Sequence, residues 1–124
     1  MITTRTPRER AYLIGVLLPG STDELVHEQM VELADLARTA GAEVVGSDVQ
    51  RRGQVDARHF IGMGKVEELR AMKLEGGYDV IMCNEDLSPR QQRNLELDLK
   101  TRVLDRTEVI LEIFAQHART QRSG

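Results

Sequence analysis

Apolar residues along the chain alternate between two rhythms. Tyr12-Leu13-Ile14-Gly15-Val16-Leu17-Leu18 is a continuous apolar run stopped by Pro19-Gly20, which predicts a strand covered on both faces of a parallel sheet. Leu25, Val26, Met30, Val31, Leu33, Ala34 and Ala37 then recur at helical spacing as far as Gly41, as in an amphipathic helix with a glycine stop. Ser21 and Glu24 supply a capping box for its start. Glu43-Val44-Val45-Gly46 opens a second strand, while the polar stretch Ser47 to Arg58 keeps neither period for most of its length. Phe60-Ile61 is a short strand at best.

From Lys65 the pattern is helical again, with Val66, Leu69, Met72 and Leu74 on one face and Gly76-Gly77 as its end. Val80-Ile81-Met82-Cys83 predicts another buried strand. Ser88-Pro89-Arg90-Gln91 forms a second capping box, with proline at its favoured first position, ahead of a helix Gln91 to Lys100 with Leu95, Leu97 and Leu99 as apolar positions. Arg102 to Asp105 is a last short strand, and Thr107 caps a helix to about His117. Strands that alternate with helices through short turns indicate an α/β fold. The expectation is a single, mostly parallel sheet of four to five strands, flanked by helices on both faces. A flexible arm is expected over residues 1–10, the α/β domain over 11–118 and a disordered polar tail over 119–124.

A chain of 124 residues suits one domain able to bury a core without disulfides. Its single cysteine, Cys83, lies in an apolar run and reads as a small buried hydrophobe in a reducing compartment. The longest apolar run is too short to span a bilayer, and residues 1–10 lack the core of a signal peptide. A cytoplasmic location follows as the expectation. Net charge is −3, which argues against a general polyanion binder. The sign is uneven, however: Asp23 to Asp35 is acidic, whereas Arg51, Arg52, Arg58 and Lys65 mark a basic middle. Aromatic residues are scarce, so any RNA contact would run through phosphates rather than stacked bases.

Ligands of open parallel sheets meet the loops at the carboxyl ends of the strands. Those loops hold Gln50, Arg51, Arg52, Lys65, Asn84, Glu85, Asp86, Asp105 and Arg106, expected to crowd one rim as a ribosome- or partner-binding surface. Capping alone accounts for Ser21, Ser88, Gln91 and Thr107. Local pairing is an alternative for Asp105 and Arg106, and a solvated charge pair is one for Arg51 and Arg52. No catalytic set and no metal-ligand spacing emerges around His27, His59 or His117.

His59-Phe60-Ile61-Gly62-Met63-Gly64-Lys65-Val66 imitates the end of a phosphate loop. The template G-x-x-x-x-G-K-[ST] fails at His59, where glycine is required, and at Val66, where a magnesium-binding hydroxyl is required. Gly62 and Gly64 then read as a tight turn into a helix. With Lys65 they remain a possible anion-binding turn, ATP phosphates included; the other reading is that Lys65 bridges to a neighbouring loop.

The segments "VQRRGQVDARHFIGMGKVEEL", "NEDLSPRQQRNLE" and "VLDRTEVILEIFAQHART", in this order, closely resemble the N-terminal domain of HflX-type GTPases, from about Ala11 to Thr120. The resemblance implies a cytoplasmic, ribosome-associated family that binds the large subunit and its RNA. It also implies an α/β unit, then a helical pair and a separate G domain. GTP and magnesium belong to that G domain, so the resemblance assigns no cofactor and no catalytic residue to this chain. Its implied partners are the large ribosomal subunit and a G domain in cis or trans. One further partner follows from residues alone: Val109, Ile110, Leu111, Ile113, Phe114 and Ala115 are apolar around more than one helix face, so residues 107–118 are a candidate homodimer surface.

Overall fold

The computed structural model describes residues 8–123, with side chains through residue 118. Its elements follow the order β1 (Arg10–Leu17), α1 (Asp23–Thr39), β2 (Glu43–Arg51), α2 (Met63–Leu74), β3 (Val80–Cys83), α3 (Pro89–Leu99), β4 (Arg102–Leu104) and α4 (Arg106–Ser123). All strand pairs are parallel, and the four strands lie in the order β2-β1-β3-β4. The first strand is therefore central, and the chain winds outward from it in both directions. This makes the carboxyl ends of β1 and β3 a topological switch point.

Alternation along β1 divides the core. Ile14 and Val16 join Ile81, Cys83 and Val103 under α2 and α3, whose Val66, Leu69, Leu95 and Leu99 close that face. Ala11, Leu13 and Leu17 join Val80 and Met82 on the other face, beneath Val26, Met30, Leu33 and Ala37 of α1 and Val109 of α4. Helices thus cover both faces, as the continuous apolar runs of β1 and β3 require. Burial raises the pKa of the Tyr78 phenol to about 12, and its hydroxyl donates to the Leu69 carbonyl at 2.7 Å. Burial likewise pushes the Cys83 thiol upward, so it acts as core volume rather than as a nucleophile. Among the described residues no helix is long and apolar enough to cross a membrane.

Several local expectations need correction. The polar stretch from Ser47 is not loop as far as Arg51: it completes β2, which is nine residues long and alternates exposed and half-buried positions. An edge strand has solvent on one side, so polar residues replace the apolar run expected of a central strand. Phe60-Ile61 forms no strand. Phe60 has φ 67 and makes an isolated antiparallel bridge to Asp56, folding the loop back while both apolar side chains enter the core. Helix α2 begins at Met63, two residues before the expected Lys65.

Two caps also differ. Thr22, not Ser21, caps α1, its Oγ1 accepting from the Leu25 N–H at 3.1 Å. The Ser21 N–H is used by the preceding turn, donating to the Leu18 carbonyl at 3.0 Å. Thr107 lies inside α4, and Asp105 is the cap: its Oδ1 accepts from the Glu108 N–H at 2.9 Å and its own N–H donates to Glu108 Oε1 at 3.2 Å. Ser88 and Gln91 do form the expected reciprocal box, with Pro89 beside it. At the other helix ends, Gly41 (φ 96) and Gly76 (φ 75) take left-handed turns that favour glycine.

Two boundaries shift. Arg10 already belongs to β1, where its guanidinium meets Asp79 at 3.1 Å, while residues 1–7 of the expected arm lie outside the described residues. At the far end the α4 backbone continues past 118 to Ser123.

Candidate functional site

The carboxyl ends of the four strands form a rim whose two halves differ. On the β3–β4 half nearly every polar group serves the fold. Asp105, 8% exposed, also accepts from the Leu87 N–H at 3.0 Å, tying the loop after β3 to the start of α4. Thr107 donates to Asp86 at 2.7 Å, and Arg106 pairs with Glu32 of α1 at 2.6 Å. Asn84 is buried, and its Nδ2 donates to Gln29 at 3.0 Å, while its Oδ1 has no hydrogen-bond partner among the described residues. Glu85 is exposed.

On the β2 half, Gln50 Oε1 accepts from the Gly62 N–H at 2.9 Å, fixing the start of α2. Lys65 is ion-paired with Asp48 and, at 3.0 Å, with Glu68, and its side chain is only 12% exposed. Desolvation alone would lower the pKa of this ammonium, yet hydrogen bonds from Asp48 and Glu68 leave it raised. Lys65 therefore faces neighbouring carboxylates on the flank of the sheet. Gly62 has an ordinary φ of −71, and its lack of a side chain matters through space: an added Cβ would stand 2.4 Å from Arg52 Nη1. Gly64 faces open space.

The arginines remain. Arg51 meets Asp23 at 3.1 Å, with both side chains at least three-quarters exposed, a pairing worth little in water. Arg52 Nε donates to the Gln54 carbonyl at 3.1 Å. Among the described residues neither Arg52 nor Arg58 has a carboxylate within ion-pair distance. Both line a cleft of about 590 Å³ with Gln54, Asp56, His59 and Met63. Arg51 and Arg52 line a second cleft of about 370 Å³ beside Leu18, Pro19 and Ser21, so Arg52 is common to both.

Arg58 and the loop around it are the site residues that strand-end reasoning missed, because the loop looked featureless. The readable signal was Asp56, two residues ahead of Arg58. Its carboxylate accepts from the Arg58 and His59 N–H groups, each at 2.8 Å, as short polar side chains do when they organise turns. Those backbone bonds, His59 first, hold the Asp56 carboxyl below the usual carboxylate range. The loop is fastened from outside as well. His59 Nε2 lies 2.6 Å from Asp98 of α3, Gln91 Nε2 donates to the Asp56 carbonyl at 2.8 Å, and Asn94 Nδ2 donates to the Arg58 carbonyl at 3.0 Å. With Asp56 and Asp98 carboxylates on both sides of its ring, His59 braces the loop against α3.

The sequence and fold of the chain match known proteins. Residues 27–115 match the family described as GTP-binding GTPase N-terminal. Curated relatives named GTPase HflX include those of Magnetococcus marinus, 40% identical over 98% of this chain and 28% of the relative, and of Escherichia coli, 36% identical over 90% of this chain and 26% of the relative. The chain thus spans about a quarter of the length of such relatives. A solved GTP-binding protein of Sulfolobus solfataricus in complex with GDP superposes with a TM-score of 0.62 at 20% identity, over 86% of this chain and 30% of that one. A crystal structure of an SsGBP variant gives a TM-score of 0.68 at 23% identity, over 88% and 32%. These two structural likenesses speak to the fold alone. Sequence coverage and family match together place the chain in the GTP-binding GTPase N-terminal family, as an N-terminal domain of the HflX type.

Proposed function

We propose that this domain is a non-catalytic docking and regulatory module of an HflX-type GTPase, in which Arg51, Arg52 and Arg58 meet phosphates of large-subunit ribosomal RNA. The observation that carries the reading is the cleft lined by Arg52 and Arg58, neither of which has a carboxylate within ion-pair distance among the described residues, with Asp56 as its one acidic residue. Guanidinium groups suit bidentate phosphate contacts. The exposed Arg51–Asp23 pair can be exchanged for phosphate at little cost. GTP and magnesium fall, in this reading, to a G domain in cis or trans. The half-exposed to exposed Leu111 and Phe114 of α4, 58% and 66% exposed, offer that domain a surface. A second copy is the competing occupant of residues 107–118, and a strictly monomeric mass at high concentration removes it.

Co-sedimentation with purified large subunits tests the docking. Binding is expected at low salt and weakens at moderate salt, since released counterions drive it; the Arg52→Glu, Arg58→Glu double variant is expected to lose it. Absence of binding at both salt concentrations overturns the proposal. An ATP-phosphate site at Gly62, Gly64 and Lys65 has less support, because Lys65 would have to leave Asp48 and Glu68 to reach an anion. Calorimetry with ATP and GTP on the native chain and on Lys65→Ala decides that reading.

A further inference from the structure

The carboxyl ends of α2 and α3 carry a surface that includes none of the arginines assigned to RNA docking. Leu74, at the end of α2, is 82% exposed, and Leu97, near the end of α3, is 68% exposed. Leu97 lies roughly 200° around the helix from buried Leu95, so a leucine there adds nothing to the core. Between the carboxyl ends of the two helices these leucines line a groove of about 470 Å³. Its borders are cationic: Arg70, Lys73 and Lys100 against the single acid Asp98. That acid is engaged by His59 at 2.6 Å. Arg70 is held by Glu67 at 2.6 Å. Lys73 reaches the Tyr78 carbonyl, at 3.5 Å, and the Tyr78 ring, and its charge also acts on the Asp79 carboxylate. Among the described residues Lys73 and Lys100 have no carboxylate within ion-pair distance. Lys100 also occupies a left-handed helix end, φ 55, where glycine is favoured.

We propose that this α2–α3 groove binds an acidic amphipathic helix of a protein partner, with leucine-like side chains seated on Leu74 and Leu97 and carboxylates on Lys73 and Lys100. Two exposed leucines beside two unpaired lysines complement such a helix in both apolar and charged character. Nucleic acid matches only the charge, because phosphates gain nothing from covering leucine. None of Arg51, Arg52 and Arg58 lines the groove, so the proposal stands independently of ribosome docking.

The test is leucine-methyl NMR of the full chain titrated with a synthetic helical peptide bearing leucines at i and i+4 between glutamates. Parallel titrations use the same peptide with lysines for glutamates, and a short RNA duplex. The Leu74 and Leu97 methyls are expected to shift saturably with the acidic peptide alone. At least tenfold weaker binding is expected in Lys73→Gln, Lys100→Gly, a pair that keeps the left-handed helix end. Equal binding of the lysine peptide, unchanged affinity in the double variant, shifts confined to other methyls, or RNA acting on Leu74 and Leu97 would each overturn it. Large-subunit sedimentation of the same double variant is expected to be unchanged, so failure here is distinct from failure of the docking reading.

Discussion

The two halves of the rim hold similar residues in opposite states. After β3 and β4, Asp86, Asp105 and Arg106 are bound to Thr107, Leu87, Glu108 and Glu32. After β2, Arg52 and Arg58 have no carboxylate within ion-pair distance among the described residues and line a shared cleft with Asp56. Both halves sit where ligands of parallel sheets bind, but after the helix starts are satisfied the β2 half leaves arginines outside ion pairs, whereas the β3–β4 half leaves an exposed acid, Glu85. Position at a strand end is therefore a weak argument for a site until caps and loop ties have been counted.

The contrast is breakable by mutation. Asp105→Ala removes a buried cap and a loop tie together and is expected to lower stability by about 2 kcal/mol, read as a lower urea midpoint, with docking intact in the folded fraction. Arg52→Gln, Arg58→Gln should behave inversely. Its stability stays within about 0.5 kcal/mol, while the salt dependence of large-subunit binding falls by roughly one unit per arginine. If that double variant unfolds as readily as Asp105→Ala, both halves are structural and the contrast collapses.

A smaller effect sharpens the cap assignments: Thr22→Ala should cost about 1 kcal/mol and Ser21→Ala only a few tenths. The smallest concerns Asp56, whose folded pKa is lowered from the ordinary 3.8. A depressed carboxyl stabilises the loop above its unfolded value and loses that contribution as pH falls through the lower folded one. The stability difference between native chain and Asp56→Asn should accordingly be present at neutral pH and shrink in acid. A difference that persists at the lowest pH excludes the carboxylate as its source.

Alternation of apolar runs and helical periods was enough for the α/β class, for the central strands β1 and β3, and for the Ser88–Gln91 box. Those signals are local, since burial on both faces leaves an apolar run and a capping box spans four residues. β2 was half legible because an edge strand needs no apolar run, and its polar side chains bond partners far away in the chain, as Asp48 does with Lys65. Of the three apolar positions Leu95, Leu97 and Leu99, only Leu95 and Leu99 are buried and Leu97 is exposed, because a helix buries residues nearly four apart and not two. Asp105 looked like a rim charge and is a buried cap, because α4 starts two residues earlier than the expected Thr107 cap implied.

Family membership and fold class resided in the order of residues, since capping boxes, glycine stops and buried strands act over a few neighbours. Which charges are free was decided only by folding. Lys65 is neutralised by a strand 17 residues earlier, and His59 is braced by a helix 39 residues later. Electrostatic pairing depends on distance in space, and chain order does not encode that distance until the sheet brings its strands side by side.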